Sequence, residues 1–337
     1  MRRACGVLLM AAAGCAGSAD MSWLEIRPAG GVEGALDPKL AAALAAAPAA
    51  DYASMTLADV RASADQRFKA TPKLGDKIDS SYDLKAGGVP VRVYDPEGSG
   101  PVPILLYFHG GGWVVGNLES HDDLCRSLCR RAGVLVVAVD YRLAPEARYP
   151  AGLQDAATVL RWLATNAASI GGDPKRIAVG GDSAGGNLAA ALALRTRDRG
   201  GPAIAFQLLI YPVTVRDFDT PSYRRYAAGY GLTRDNMRWF WDQYLEKPAD
   251  ADDPYAAPLH AADLSGLPPA FVATAEFDVL RDEGEAYAAK LAEAGGRVKC
   301  ARYLGMNHGF ARMGALFPRA AQALDEMAAA LKAGLSR

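Results

Sequence analysis

The sequence predicts an α/β protein built on a doubly wound, mostly parallel sheet with a helical cap. Three observations point there. First, "VPILLYF" at 102–108 and "VLVVAVD" at 134–140 are continuous apolar runs, the makeup of parallel strands covered on both faces. Second, such runs alternate with helical segments over most of the chain, the order of repeated β-α-β units. Third, the stretch 213–268 breaks that order: it holds no strand pattern and concentrates aromatic side chains, Phe218, Tyr223, Tyr226, Tyr230, Trp239, Phe240, Trp241 and Tyr244 among them. A βα connection is normally far shorter.

The elements follow in order. In "DPKLAAALAAAPAA", Asp37 is the expected N-cap and Pro38 the first helical residue, with Pro48 stopping the run. Thr56 caps a second helix in "TLADVRASADQRF". "VPVRVYDP" alternates like a half-buried strand. After strand 102–108 come a helical segment at 118–132, strand 134–140 and an amphipathic helix in "GLQDAATVLRWLATNAASI" that stops at Gly171-Gly172. Strand 176–181, helix 184–197, strand 204–211, strand 269–275, helix 281–294, strand 298–304 and helix 315–334 complete the series. The expected organisation is a catalytic core from 80–212 and 269–335, and a helical cap from 35–70 and 213–268 over the carboxyl ends of the strands. Most of the cap aromatics are expected to be its own core.

Half of the 337 residues are apolar and the net charge is −1. The chain can therefore bury a large core, and it has no basic block to suggest a nucleic-acid partner. No apolar stretch is long enough for a membrane span. Five scattered cysteines are too few for a disulfide framework. Cys125 and Cys129 share a face of the predicted helix and read as small buried apolar residues, since no histidine pair joins them as metal ligands.

The segment "MRRACGVLLMAAAGCAGSAD" has a basic start, an apolar middle and small residues after it, the layout of a secretory signal. The other reading is an extension ahead of a start at Met21. Residues 1–20 are expected to stand outside the fold on either reading. A cytoplasmic location is favoured; a secreted or periplasmic one follows if the segment is a signal.

The chemistry centres on "RIAVGGDSAGGNLAAALAL". Gly181-Asp182-Ser183-Ala184-Gly185 matches G-x-S-x-G with an apolar strand before it and a helix after it, the context of a nucleophile elbow. The elbow strains the serine backbone and leaves no room for side chains two residues away on either side. The helix start behind it adds positive potential where an oxyanion develops. A capping serine in a glycine turn would account for Ser183 but not for both glycines.

Serine needs a base, and the four histidines are His109, His121, His260 and His308. In chains with this elbow the order is Ser, acid, His, which leaves His260 and His308. His308, in "GMNHGF" after a strand, is the expected base; His260 comes ahead of any acid at a strand end. "FVATAEFDVLRDEG" supplies the acid. Asp278, in the loop between strand and helix, is preferred as the orienter of the histidine, with Glu276 and Asp282 as alternatives. In "FHGGGWVVG" a strand runs into three glycines, the oxyanion-loop pattern of lipases and esterases. Gly111, Gly112 and the Ala184 N–H are the expected donors, with Gly110 as a further candidate. His109 is expected to hold its loop rather than act as base.

"HGGGW" at 109–113, "DYRLAPE" at 140–146, "GDSAGGNLA" at 181–189, "YP" at 211–212, "FDVLRDEG" at 277–284 and "HGF" at 308–310 together resemble, in order and spacing, the hormone-sensitive-lipase-like branch of the α/β hydrolases, the bacterial family IV carboxylesterases. The resemblance covers about residues 35–335. Val279 departs from it, standing where the family often has proline. The resemblance implies acyl transfer by Ser183, His308 and Asp278 on short- to medium-chain esters, with no metal or cofactor. It implies a scaffold role for Asp140, Tyr141 and Arg142. The expected partner is a small-molecule ester, with no nucleic acid and no stable membrane insertion; a homodimer is left open. Two other readings stand beside it. One is an amide or N-formyl hydrolase on the same triad. The other is a non-hydrolytic receptor, as in the plant gibberellin receptors, which resemble this family but lack the histidine.

Overall fold

The computed structural model describes residues 26–336 apart from residues 48 and 99. The signal-like segment 1–20 and the expected stop at Pro48 lie outside the described residues. Among the described residues nine strands form one sheet: β1 (Ile26–Ala29), β2 (Ser80–Ala86), β3 (Val89–Asp95), β4 (Val102–Phe108), β5 (Leu135–Val139), β6 (Gly172–Asp182), β7 (Phe206–Ile210), β8 (Ala270–Phe277) and β9 (Val298–Asn307). Their order across the sheet is β1-β9-β8-β7-β6-β4-β5-β3-β2. Only β3 runs against its neighbours; the other pairings are parallel.

The helices are α1 (Pro38–Ala46), α2 (Leu57–Ala70), α3 (Asp122–Ala132), α4 (Ala151–Asn166), α5 (Ala184–Arg199), α6 (Pro221–Arg225), α7 (Arg234–Tyr244), α8 (Arg281–Glu293) and α9 (Pro318–Leu335). The two expected caps form. The Asp37 carboxylate accepts from Lys39 N–H at 2.9 Å, and Thr56 Oγ1 accepts from Asp59 N–H at 3.2 Å. On β4, Ile104, Leu106 and Phe108 pack in one core layer with α4, α5 and α8. Leu105 and Tyr107 pack in the other with α3 and α9. Both faces are dry, which is why this strand is apolar at every position.

Two strands go beyond the sequence expectation. β1 has four residues at the sheet edge, beside β9. β2 reads "SSYDLKA" and is mostly solvent-facing. Edge strands pair on one side only and need no apolar run, so periodicity misses them. Three strands are longer than expected, and β6 gains most, covering Gly172–Asp182 in place of 176–181. β8 reaches Phe277 and β9 reaches Asn307, and these residues pair after an irregularity between Ala275 and Phe277.

The insertion 213–268 carries α6 and α7. Asn187 of α5 ties it down near both ends, donating from Nδ2 to the carbonyls of Val213 at 3.1 Å and Ala256 at 2.8 Å. It also meets the N-terminal helical segment. Asn236 donates to the Ala50 carbonyl at 3.1 Å, and Tyr52 packs edge-on to Phe240 at 5.4 Å. No helix among the described residues is long and apolar enough to cross a membrane.

Candidate active site

Ser183 stands between the end of β6 and the start of α5 with φ +57° and ψ −120°, a region that costs a non-glycine residue roughly 1–3 kcal/mol. Neighbouring backbone over-determines the turn. Ser183 N–H donates to the Ile210 carbonyl at 2.8 Å, and its own carbonyl accepts from Asn187 and Val213 at 3.0 and 3.2 Å. A Cβ at Gly185 would overlap the carbonyl of Phe108, and one at Gly181 would meet that same oxygen. The serine side chain makes no capping bond to α5. A capping serine is thereby set aside.

Ser183 Oγ instead lies 3.0 Å from His308 Nε2. His308 follows directly on β9, and its Nδ1 lies 2.7 Å from Asp278 Oδ2. Asp278 follows directly on β8, is 1% exposed, and is anchored by Leu280 N–H on Oδ1 at 3.0 Å. The other two carboxylates are engaged elsewhere. Glu276 accepts from the N–H groups of Gly305, at 2.8 Å, and Gly34. Asp282 accepts from Ser222 N–H at 2.7 Å. Of the other histidines, His260 bonds the Ala251 carbonyl at 3.1 Å. His109 is buried against Tyr141, ring centroids 4.4 Å apart, with Nδ1 on the Gly110 carbonyl at 2.9 Å. Burial, and then the neighbouring His121, push its pKa down to about 4, so it is neutral at pH 7.

The glycine loop after β4 turns its amides in two directions. Gly110 N–H donates to Asp182 Oδ1 at 2.9 Å. Gly110 is therefore corrected: its donor is spent inside the protein, on the residue before the serine. Gly111 and Gly112 have φ +123° and +58°, and their N–H groups have no acceptor among the described residues. The Ala184 N–H opens α5 and lacks an intrahelical partner. A serine–histidine–carboxylate line at a helix start can perform nucleophilic acyl transfer where backbone donors receive the developing charge. Among the described residues, no group of three or more His, Cys, Asp or Glu side chains is placed to hold a metal ion.

A family model described as the alpha/beta hydrolase fold matches residues 105–312. The chain is 45% identical over 269 residues to the carboxylic ester hydrolase LipN of Mycobacterium tuberculosis, spanning 78% of this chain and 71% of that protein. The chain belongs to the α/β hydrolases, in the hormone-sensitive-lipase-like branch. It is also 44% identical to an ethyl acetate hydrolase of Pseudomonas putida over 72% of this chain and 78% of that one. Among solved structures, a thermostable esterase from Pseudomonas putida ECU1011 superposes with a TM-score of 0.86 at 37% identity, over 91% of this chain and 100% of that one.

This hydrolase holds its glycine loop with residues that sequence reasoning left without a role. Asp182 also accepts from Tyr107 OH at 2.6 Å, and His121 Nε2 lies 3.2 Å from Oδ1. Burial works to raise this carboxyl, but the His121 charge and the hydrogen bonds from His121 and Tyr107 outweigh it and hold the group below the usual carboxylate range. The one available signal was Asp182 itself, a charged residue inside the elbow. Tyr211, known from sequence only as half of "YP", sits at φ +33° with its ring 4.6 Å from that of His308. Phe240 lies over the Gly112 Cα, where a Cβ would collide with its ring. Trp113 stacks on Tyr244 at 4.0 Å and 5°. In "DYRLAPE", Tyr141 OH bonds the His109 carbonyl at 2.8 Å and Arg142 forks onto Asp155 at 2.8 Å. Arg61 spans Glu146 at 2.7 Å and the Val114 carbonyl at 3.1 Å.

Proposed function

We propose that this carboxylic ester hydrolase cleaves small soluble esters with short to medium acyl chains, through a Ser183–His308–Asp278 triad and an acyl-enzyme. The observation that carries the reading is the continuous line from Asp278 through His308 to Ser183, at 2.7 and 3.0 Å. Ser183 Oγ attacks the ester carbonyl while His308 Nε2 takes its proton. Asp278 fixes the imidazole through Nδ1 and stabilises the imidazolium. The tetrahedral oxyanion is received by the N–H groups of Gly111, Gly112 and Ala184, each worth roughly a hundred- to a thousandfold in rate. His308 then protonates the departing alkoxide. Water, deprotonated by the same imidazole, attacks the acyl-enzyme and releases the acid.

The ester range rests on the cap. The reading takes segments 35–70 and 213–268 as that cap, supported by Phe240 of the insertion against Gly112 and Gly231 against Asn307. A closed pocket gains about 0.8 kcal/mol per methylene until the chain meets its wall, and beyond that overpacking costs energy. The ethyl acetate hydrolase relative, named for a small ester, agrees with this range.

The deciding experiment pairs two isosteric variants. Asp278→Asn is expected to lose about 10⁴-fold in kcat, because the wrong imidazole tautomer is stabilised, while Glu276→Gln keeps most of its turnover. The reverse result moves the acid to Glu276. In a p-nitrophenyl ester series, kcat/KM is expected to rise from acetyl to about butyryl or hexanoyl and then fall. A rise continuing to palmitoyl, with a jump on emulsified substrate, would instead mean a lipase whose cap opens at interfaces.

A further inference from the structure

Tyr230 belongs to the insertion, and the reaction above gives it no task. Asp278 and His308 each directly follow the last residue of a strand, and those last residues, Phe277 and Asn307, are cross-strand partners. Tyr230 grips both. Its ring stacks on Phe277 with centroids 5.3 Å apart and planes 19° from parallel. Its carbonyl accepts a hydrogen bond from Asn307 Nδ2 at 2.9 Å. Tyr226 closes the cluster edge-on, 5.1 Å from Tyr230 and 5.4 Å from Phe277. The next residue, Gly231, has φ +95°, and a Cβ there would stand 2.8 Å from Asn307 Nδ2. Only glycine lets the chain pass this close. A second tie from the insertion holds the far side of Asp278: Ser222 Oγ donates to the Val279 carbonyl at 2.7 Å.

The sheet leaves something for these contacts to do. The β8–β9 ladder loses its regular register between Ala275 and Phe277, one step before the acid and the base. Ladder hydrogen bonds upstream of that irregularity do not by themselves dictate how Phe277 sits against Asn307, and so how Asp278 Oδ2 meets His308 Nδ1. We infer that Tyr230 is a positioning residue for the triad: by holding Phe277 through its ring and Asn307 through its carbonyl, it sets the spacing of Asp278 and His308. The inference rests on the triad reading above. It gives the insertion a part in assembling the catalytic line, besides walling the pocket.

The test compares Tyr230→Ala, Tyr230→Phe and Gly231→Ala with the unmodified enzyme on p-nitrophenyl acetate and p-nitrophenyl hexanoate. Rates are expressed per active site, counted by titration with an activated phosphonate, so that misfolded protein drops out. Tyr230→Ala and Gly231→Ala are expected to lower kcat by about ten- to a hundredfold, the size of effect that misplacing reacting groups produces. The factor should be the same for both esters, with KM little changed, because both acylation and deacylation use His308. Tyr230→Phe, which keeps the ring and the carbonyl, should restore kcat. A loss confined to hexanoate, or a rise in KM alone, would make Tyr230 a pocket wall and overturn the inference. So would a normal kcat per titrated site, or a Tyr230→Phe enzyme as damaged as Tyr230→Ala. Ser183→Ala is run beside them. Full activity there sinks the triad reading itself, whereas loss there with an undamaged Tyr230→Ala sinks the positioning role alone.

Discussion

The elbow at 181–185 and the glycine loop at 110–113 are neighbours, linked by the Gly110 N–H on Asp182, and are held in different ways. The elbow is held by backbone. Gly181 and Gly185 press on the Phe108 carbonyl, and Ser183 is pinned through its own N–H and carbonyl to Ile210, Asn187 and Val213. The glycine loop is held largely by side chains brought from elsewhere. Asp182 takes the Gly110 N–H, Phe240 lies on Gly112, and Tyr244 stacks on Trp113. A backbone contact has one geometry and cannot be trimmed. A side-chain contact can be replaced. The first kind is written whole into a short local motif; the glycine loop writes its glycines there too, but the side chains that hold it are distributed along the chain.

The sharpest test of that difference is a pair of glycine substitutions. Gly185→Ala pushes a methyl into the Phe108 and His109 carbonyls, and is expected to cost about 3 kcal/mol or more and to abolish esterase activity. Gly112→Ala pushes a methyl into the Phe240 ring and should lose about a hundredfold in kcat, comparable to losing one oxyanion donor. Adding Phe240→Leu should recover part of the Gly112→Ala loss, a coupling that a double-mutant cycle measures, and none of the Gly185→Ala loss. Rescue of Gly185→Ala, or none of Gly112→Ala, breaks the distinction.

Asp182 joins the two regions, and Asp182→Asn should loosen the glycine loop while leaving the elbow turn intact. An amide in place of this buried carboxylate presents a donor where Tyr107 OH and Gly110 N–H need an acceptor, and leaving such buried groups unsatisfied costs about 1–3 kcal/mol. A clear drop in Tm with a lower kcat is expected, and unchanged values for both would show that the loop does not depend on this carboxylate.

The smallest effect concerns His109. Its folded pKa of about 4 lies below the unfolded value of 6.5, so between these values the unfolded chain binds a proton that the folded protein refuses. The stability this residue contributes is complete above the unfolded value and falls as pH drops towards the folded one, by up to about 1.4 kcal/mol per pH unit. Urea midpoints should therefore fall on acidification from about pH 7 to about pH 5, and His109→Gln should flatten that slope. An identical slope in the variant would mean that His109 takes up its proton without unfolding.

What was legible in the sequence follows the same division. Strands β4 and β5 announced themselves because two dry faces demand unbroken apolar runs, while β1 and β2 did not because an edge strand with a wet face needs none. Val279 stands where the family often has proline, and the Asp278 turn forms all the same, with Leu280 N–H on the carboxylate at 3.0 Å. The three candidate acids differed by only a few positions, and strand boundaries read from a sequence are not that sharp. β8 running on to Phe277 puts Asp278 at the strand end, and the irregularity before it turns Glu276 away to Gly305.

The sequence alone determined what must be written into a local stretch of chain: glycines where no Cβ fits, a serine between a strand and a helix, caps at Asp37 and Thr56, and apolar runs where both faces are dry. Each of these is a constraint between near neighbours, so a few residues suffice to state it. Only the tertiary structure decided which amide of the glycine loop is spent. Gly110, Gly111 and Gly112 are alike in sequence, and what separates them is a carboxylate at position 182 that takes the Gly110 N–H at 2.9 Å. The same holds for Phe277 and Asn307, whose pairing across β8 and β9 brings Asp278 and His308 together. Those choices depend on which distant atoms arrive at one point, and that is known only once the whole sheet has closed around them.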